Sequence, residues 1–280
     1  FFINSLFMDM PATTTMRYCK EYTCMTPFYS EDVLLTKDDL MSKNSDGITT
    51  LLYLQTLYRQ DWSNFVERRG IQAEDDQLIW TQQHLLQTRM WASYRAQTLF
   101  RTGEGMMYSE AAVRLMCELE QMTPQDTNTL APLKFNYVVA CQVYGAQRQN
   151  MDHKADDIEF LLARHPNLRV AYIDMVRVGR SEGSAFYSVL IKNDPNAPEV
   201  ILSAVQIANA KKGGYVGMKL NAKEVYRVKL PGNAILGEGK PENQNHAIIF
   251  SRSRYIQAMD MNQDGYFEEA LKMRNLLEEF

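Results

Sequence analysis

Apolar residues along this chain recur with two different periods, and the period changes near Leu133. Over residues 47–69 the leucines and aromatics of ITTLLYLQTLYRQDWSNFVERR return at helical spacing, and Gly70 supplies a stop. Residues 76–122 keep a mainly helical pattern rich in Gln, Arg, Met and Leu, with Gly103 and Gly105 read as interruptions. The stretch TPQDTNTLAP (123–132) reads as a loop from its Pro, Thr, Asn and Asp content. One short strand is expected ahead of these helices, at residues 22–29 (YTCMTPFY).

Past Leu133 the helical period gives way to short apolar runs. KFNYVVAC is β-branched and aromatic and predicts a buried strand. DIEFLLARHP predicts a helix that Pro166 ends, and LRVAYID a second buried strand that finishes at Asp174. Strand, helix, strand implies a parallel pair. FYSVLIK and VYRVKLPG follow as further strands around a surface excursion at 193–223 with turn chemistry and no clear period. AIIFSRSRYIQAMD reads as strand or helix followed by strand, and Tyr266–Phe280 as a helix. The expected organisation is therefore a first strand plus helical region over 22–132 and an α/β sheet region over 133–280. Such sheets bind ligands at the carboxyl ends of their strands.

The composition of the 280 residues is ordinary for a globular chain, with 45% hydrophobic and 23% charged residues. A net charge of −4 gives no basic field for nucleic acid. No run of about 18 apolar residues occurs, so the sequence predicts no membrane-spanning helix. The first residues have neither an initiator Met nor a basic leader region, and the chain reads as a piece truncated at both ends. Cys19, Cys24, Cys117 and Cys141 fit no zinc spacing and are expected as free, mostly buried thiols.

Candidate chemistry concentrates between Leu230 and Asp264. Lys240 follows a Gly237-Glu238-Gly239 turn. It is not a P-loop lysine, because Pro241 follows it and Ala234 stands where the first glycine belongs. Lysine and backbone N–H groups still suit phosphate. Asn243, Gln244, Asn245 and His246 form a dense amide and imidazole cluster, of which Asn243, Asn245 and His246 are read as substrate-binding. Asp260-Met261-Asn262 ends an apolar strand, where a D-x-D-like element can hold Mg²⁺ or Mn²⁺, with Asn262 the weaker, neutral ligand. The alternative is a helix N-terminus capped by Asn262 or Asp264. The same letters approach a calcium-binding loop, but Leu271 stands where the bidentate glutamate belongs.

Elsewhere the signals are thinner. Asp174 at a strand end can accept from a uracil N–H or a ribose hydroxyl, or simply close a turn. Tyr29, Ser30 and Glu31 stand at the first strand-to-loop junction, where Tyr29 can stack on a base and Ser30 can bond to it. Arg89, Arg95 and Arg101 lie six apart, which is poor registry for one helix face, and each is read as part of a structural ion pair. His84, His153 and His165 are scattered, and no Ser-His-Asp or Cys-His arrangement can be argued.

The words KLPGNAILGEGKPENQNHAIIF and DMNQDGYFEEALKMRNLLEEF closely resemble the catalytic region of β-1,3-glucan synthases, the callose synthases of glycosyltransferase family 48. FFINSLFMDMP, MTPFYSEDVLL, WASYRAQTLFRT, YVVACQVYG and LRVAYID resemble other segments of that family in the family's order. Phe28 departs from the tyrosine usual in the family. The resemblance implies a GT-A-like α/β domain with a helical insertion after the first strand. It implies inverting transfer of glucose from UDP-glucose to a growing β-1,3-glucan, with Lys240 and Asp260 in the chemistry. It also implies a multi-pass plasma-membrane parent with this segment cytosolic beside a transmembrane region, a small-GTPase regulatory subunit, and further acidic motifs beyond Phe280. The rival reading is a non-catalytic nucleotide-binding or interaction module.

Overall fold

Strands form here where β-branched, aromatic and small residues alternate between two buried faces. The computed structural model describes residues 13–28, 31–71, 77–177, 183–196, 204–218, 220–261 and 263–280. Its strands are β1 (Tyr22–Pro27), β2 (Phe135–Ala140), β3 (Leu168–Arg177), β4 (Ser184–Asn193), β5 (Ala222–Lys229) and β6 (Tyr255–Ala258). They build one sheet in the order β5-β4-β3-β2-β1-β6. β3, β2, β1 and β6 run parallel, and β4 and β5 are antiparallel additions. The fold is thus mixed α/β.

Alternate residues explain the double cover. Tyr22, Cys24, Tyr137, Val139 and Val170 enter the main core with the long Leu99–Leu119 helix and the His153–Arg164 helix. Their neighbours Met25, Val138, Ala140 and Ala171 face the other way, onto Ala247 of the Lys240–Ile248 helix. A second small core around Leu40, Leu51, Leu54 and Trp91 closes the helical region inserted between β1 and β2. Trp62 and Trp91 meet there edge to face at 4.7 Å. The four cysteines are free and buried, and burial pushes the Cys24 and Cys141 thiols up to about 12.

Arg89 ties the inserted helices to the sheet layer. It is 1% exposed, and its guanidinium meets both Asp157 oxygens at 3.0 Å. The remaining donors reach the carbonyls of Leu35 and Gly213 and the Tyr215 hydroxyl. Tyr215 in turn donates to Asp157 at 2.5 Å. Burial pushes the Asp157 carboxyl up and the facing guanidinium opposes it. Removing one partner of such a pair leaves an uncompensated buried charge, a loss of about 3–5 kcal/mol.

Several elements differ from the sequence expectation, each for a physical reason. Residues 123–132 are no loop: Pro124–Lys134 is a helix. Thr123 caps it by accepting from the Asp126 N–H, and Pro124 occupies the first turn, where no N–H is needed. The excursion 193–223 contains the Ala204–Gly213 helix. The 47–69 helix is two helices, Thr50–Leu57 and Arg59–Arg69, broken at Tyr58. The C-terminal helix is likewise two, Phe267–Leu271 and Met273–Glu278. No helix among the described residues is long and apolar enough to cross a membrane.

Gly103 and Gly105 do not interrupt anything; both lie inside the continuous Leu99–Leu119 helix. Gly105 is there for closeness, since a Cβ on it would sit 2.8 Å from the Gly265 nitrogen. Reciprocally, a Cβ on Gly265 would lie 2.4 Å from the Gly105 oxygen. Backbone meets backbone at this crossing. Gly265→Ala is therefore expected to lower stability by about 1–3 kcal/mol as the two segments are forced apart, read as an earlier thermal or urea transition of the full-length protein. An unchanged transition would mean that the contact is not tight in solution.

Candidate active site

The start of one helix builds the site, residue by residue. Gly237 and Gly239 adopt φ of 87° and 75°, and this turn delivers the chain into the Lys240–Ile248 helix. Pro241 fits the first turn of that helix. The amide cluster therefore stands on a helix, and AIIF is its end and the following turn, not a strand.

Glu242 gathers the turn: its carboxylate accepts from the backbone N–H groups of Leu236 and Glu238 and from the Gln142 amide. Burial pushes this carboxyl up, but the backbone donors outweigh it and hold it below its usual range. Asn243 is fully buried and joins two strand ends. Its Oδ1 accepts from the Gln142 N–H after β2, and its Nδ2 donates to the Phe28 carbonyl after β1, both at 3.0 Å. The substrate contact expected of Asn243 is thus replaced by a backbone bridge.

His246 is also committed inward. Ser188 on β4 donates to the His246 carbonyl, so its oxygen accepts from Nδ1–H at 2.8 Å. Nε2 is buried without a hydrogen-bond partner, and burial lowers the imidazole to about 4. In place of substrate binding, the ring docks the helix on the sheet. Asn245 is the exposed member of the cluster.

Lys240 reaches the other way. Its ammonium lies 2.5 Å from Asp260 Oδ1, with both side chains about half exposed, at 44% and 45%. Asp260 follows β6, beyond which the Met259 N–H donates to the Met25 carbonyl of β1. A turn closed between Asp260 and Gln263 holds the backbone beyond it. Lys240, Asp260 and the end of β1 therefore share the carboxyl edge of the parallel strands. The chain leaves β1 toward β2 on one side and returns to β6 on the other, so this edge is a topological switch point.

The other expected site residues distribute around it. Asp174 does not end its strand: it pairs with Tyr187 in antiparallel register and accepts from Arg227 at 2.8 Å. Arg227 also grips Glu224, so Asp174 belongs to an ion-pair network on the sheet. Glu31 lies after β1, and its carbonyl accepts from Lys154. Tyr29, Ser30 and Asn262 lie outside the described residues. Asp264 caps no helix; it pairs with Arg101 at 2.6 Å, and Tyr266 at the next helix start makes no side-chain cap. Thr102 donates to the Met261 carbonyl, so Arg101 and Thr102 anchor the segment that carries Asp260. Arg95 pairs with Asp61.

Among the described residues no group of three or more His, Cys, Asp or Glu side chains is placed to hold a metal. One carboxylate, Asp260, stands at the strand end. That suits a hard cation shared with substrate phosphates and water, and not a cation caged by protein alone.

A family model described as 1,3-beta-glucan synthase component matches residues 1–84 and 78–280. Callose synthase 5 of Arabidopsis thaliana is 42% identical over 307 aligned positions that take in the whole chain. Callose synthase 9 of the same plant is 43% identical over 298 positions, and callose synthase 11 is 40% identical over 328. The chain spans 15%, 14% and 17% of the lengths of these three relatives.

Two outcomes follow for the helix that presents Lys240. His246 has a folded-state value near 4 against an ordinary 6.5, so between those pH values the unfolded state binds the extra proton. Stability therefore rises with pH from 4 to 6.5, by on the order of 3 kcal/mol. His246→Gln should flatten that limb in unfolding titrations at pH 5 and pH 7, and a limb of unchanged slope would count against the burial account. Asn243→Ala should cost about 2–4 kcal/mol, since it strands a buried N–H and a buried carbonyl.

Proposed function

The chain belongs to the 1,3-beta-glucan synthase component family, and from that premise we propose that it forms the donor-binding part of a β-1,3-glucan synthase. The reaction is transfer of glucose from UDP-glucose to a growing β-1,3-glucan, with inversion, on a GT-A-like sheet with its helical insertion after β1. The observation that carries this reading is the Lys240–Asp260 pair at the switch-point edge of the parallel strands.

In that reaction the bond between the glucose anomeric carbon and the UDP oxygen breaks, and a bond to an acceptor hydroxyl forms. Negative charge builds on the departing diphosphate. Lys240, fixed on a docked helix, is placed to offset it, and preorganised donors of this kind contribute most where charge develops. The base and ribose are assigned to Tyr29, Ser30 and Glu31, which come after β1 in the sequence, and Asn245 is exposed on its helix. Asp174 completes the donor set from β3 if Arg227 releases it. Mg²⁺ or Mn²⁺ held by Asp260 and Asn262 against the diphosphate would supply further charge neutralisation. The acceptor proton passes to a general base. The full-length protein is assigned to the plasma membrane with this segment on the cytosolic side beside its transmembrane region, and with a small-GTPase regulatory subunit as partner.

UDP-glucose incorporation by membranes carrying the full-length protein tests this. Wild type should yield insoluble polymer that a β-1,3-specific glucanase digests. Lys240→Met and Asp260→Ala, at matched protein levels, should each lower the rate by about 10²–10³-fold. Undiminished polymer from both variants would move the chemistry elsewhere. Lost polymer in wild type with UDP binding retained would return the chain to a nucleotide-binding module.

A further inference from the structure

We propose that the cleft between the helical insertion and the 264–268 segment is a subsite for the acceptor glucan, binding a short run of β-linked glucosyl units. The proposal deepens the transfer reading above and rests on it. The cleft measures about 440 Å³, within the roughly 300–1,000 Å³ of small-molecule sites. Tyr94 and Tyr108 line its helical wall and Tyr266 its other wall.

Its chemistry selects a neutral polyhydroxylated ligand. Tyr94 is 41% and Tyr266 58% exposed, so both rings present open area to the cleft. A pyranose offers C–H groups on its faces and hydroxyls around its rim. Ring faces cover the former. The latter need planar donors and acceptors, and the cleft holds two guanidinium–carboxylate pairs, Arg101–Asp264 and Arg95–Asp61. The carboxylates are 34% and 54% exposed, so their outer lone pairs face the cleft's solvent. A purely apolar ligand would desolvate these groups without pairing them. Glu268 lines the cleft as well, so three carboxylates face two guanidiniums and disfavour an anion such as a second nucleotide.

The walls are also fixed in place. The Tyr94 and Tyr108 hydroxyls bond to each other at 3.0 Å. The opposite wall is pressed onto the helix at the Gly105–Gly265 crossing. Asp264 lies four residues after Asp260, and Thr102 grips the carbonyl of Met261 between them. The cleft therefore adjoins the segment that carries the carboxylate of the donor site.

The test uses the full-length protein in membranes and in detergent, with β-1,3-linked glucotriose as the probe. Tyr94→Ala and Tyr266→Ala, from opposite walls, should each raise the trisaccharide half-saturation about tenfold, the loss of about 1.4 kcal/mol of ring contact. Donor half-saturation should change less than twofold, and Tyr266→Phe should retain wild-type trisaccharide response. Binding of a fluorescently tagged trisaccharide to the detergent-solubilised protein reads the cleft without turnover. Unaltered trisaccharide binding in both alanine variants, or no binding by a wild type that makes polymer, overturns the subsite. A wild type that binds the trisaccharide through these tyrosines but makes no β-1,3-glucan from UDP-glucose overturns the transfer reading alone.

Discussion

Two hydrogen bonds from one buried amide set the geometry of the site. Asn243 takes the N–H that follows β2 and gives to the carbonyl that follows β1, at the point where both strands run out of sheet partners. Backbone groups at strand ends must be satisfied somewhere, and in a buried position water cannot serve. A side chain with one donor end and one acceptor end is the economical solution, and it locates the helix that carries it. Lys240 lies three residues earlier on that helix, so its approach to Asp260 is inherited from the bridge. Glu242 fixes the incoming turn and His246 the far end, and together they hold the helix along its whole length.

The larger scaffold obeys the same logic of buried polar groups paired in full. Arg89 spends every donor on Asp157, Tyr215 and two carbonyls, and so locks three segments of distant sequence together. Such a cluster contributes through the penalty for breaking it more than through net attraction. It holds the helical insertion at a set position over the sheet. That insertion supplies Thr102 and Arg101, which fasten the segment bearing Asp260. The Lys240–Asp260 pair is thus positioned from two sides, by the sheet-docked helix and by the insertion.

Much of this was legible in the residues. The change of period at Leu133, the buried runs of β2 and β3, the strand before Asp260 and the stop at Gly70 all follow from side-chain pattern. So does the prominence of Lys240 and Asp260. What pattern could not supply is direction. Asn243 and His246 look like ligand groups because they are polar and crowded, but the sheet lies beneath them and needs polar partners at its strand ends. Pro241 and Glu242 did carry the signal of a helix start, and that start turns Asn243 inward. Residues 123–132 misled in the same manner, since Thr, Pro and Asp mark a helix N-terminus as readily as a loop. Gly103 and Gly105 read as breaks because the neighbour that needs their bareness, Gly265, is far away in sequence.

The two partners of the Lys240–Asp260 pair stand on different supports. Lys240 belongs to a helix bolted down by buried bonds to three strands. Asp260 hangs beyond a four-residue edge strand, β6, that pairs on one side with β1. What steadies Asp260 comes instead from the insertion, through Thr102 on the Met261 carbonyl and Arg101 on Asp264. The pair therefore has two separate moorings. A change that slackens the insertion displaces the aspartate and leaves the lysine in register on the sheet.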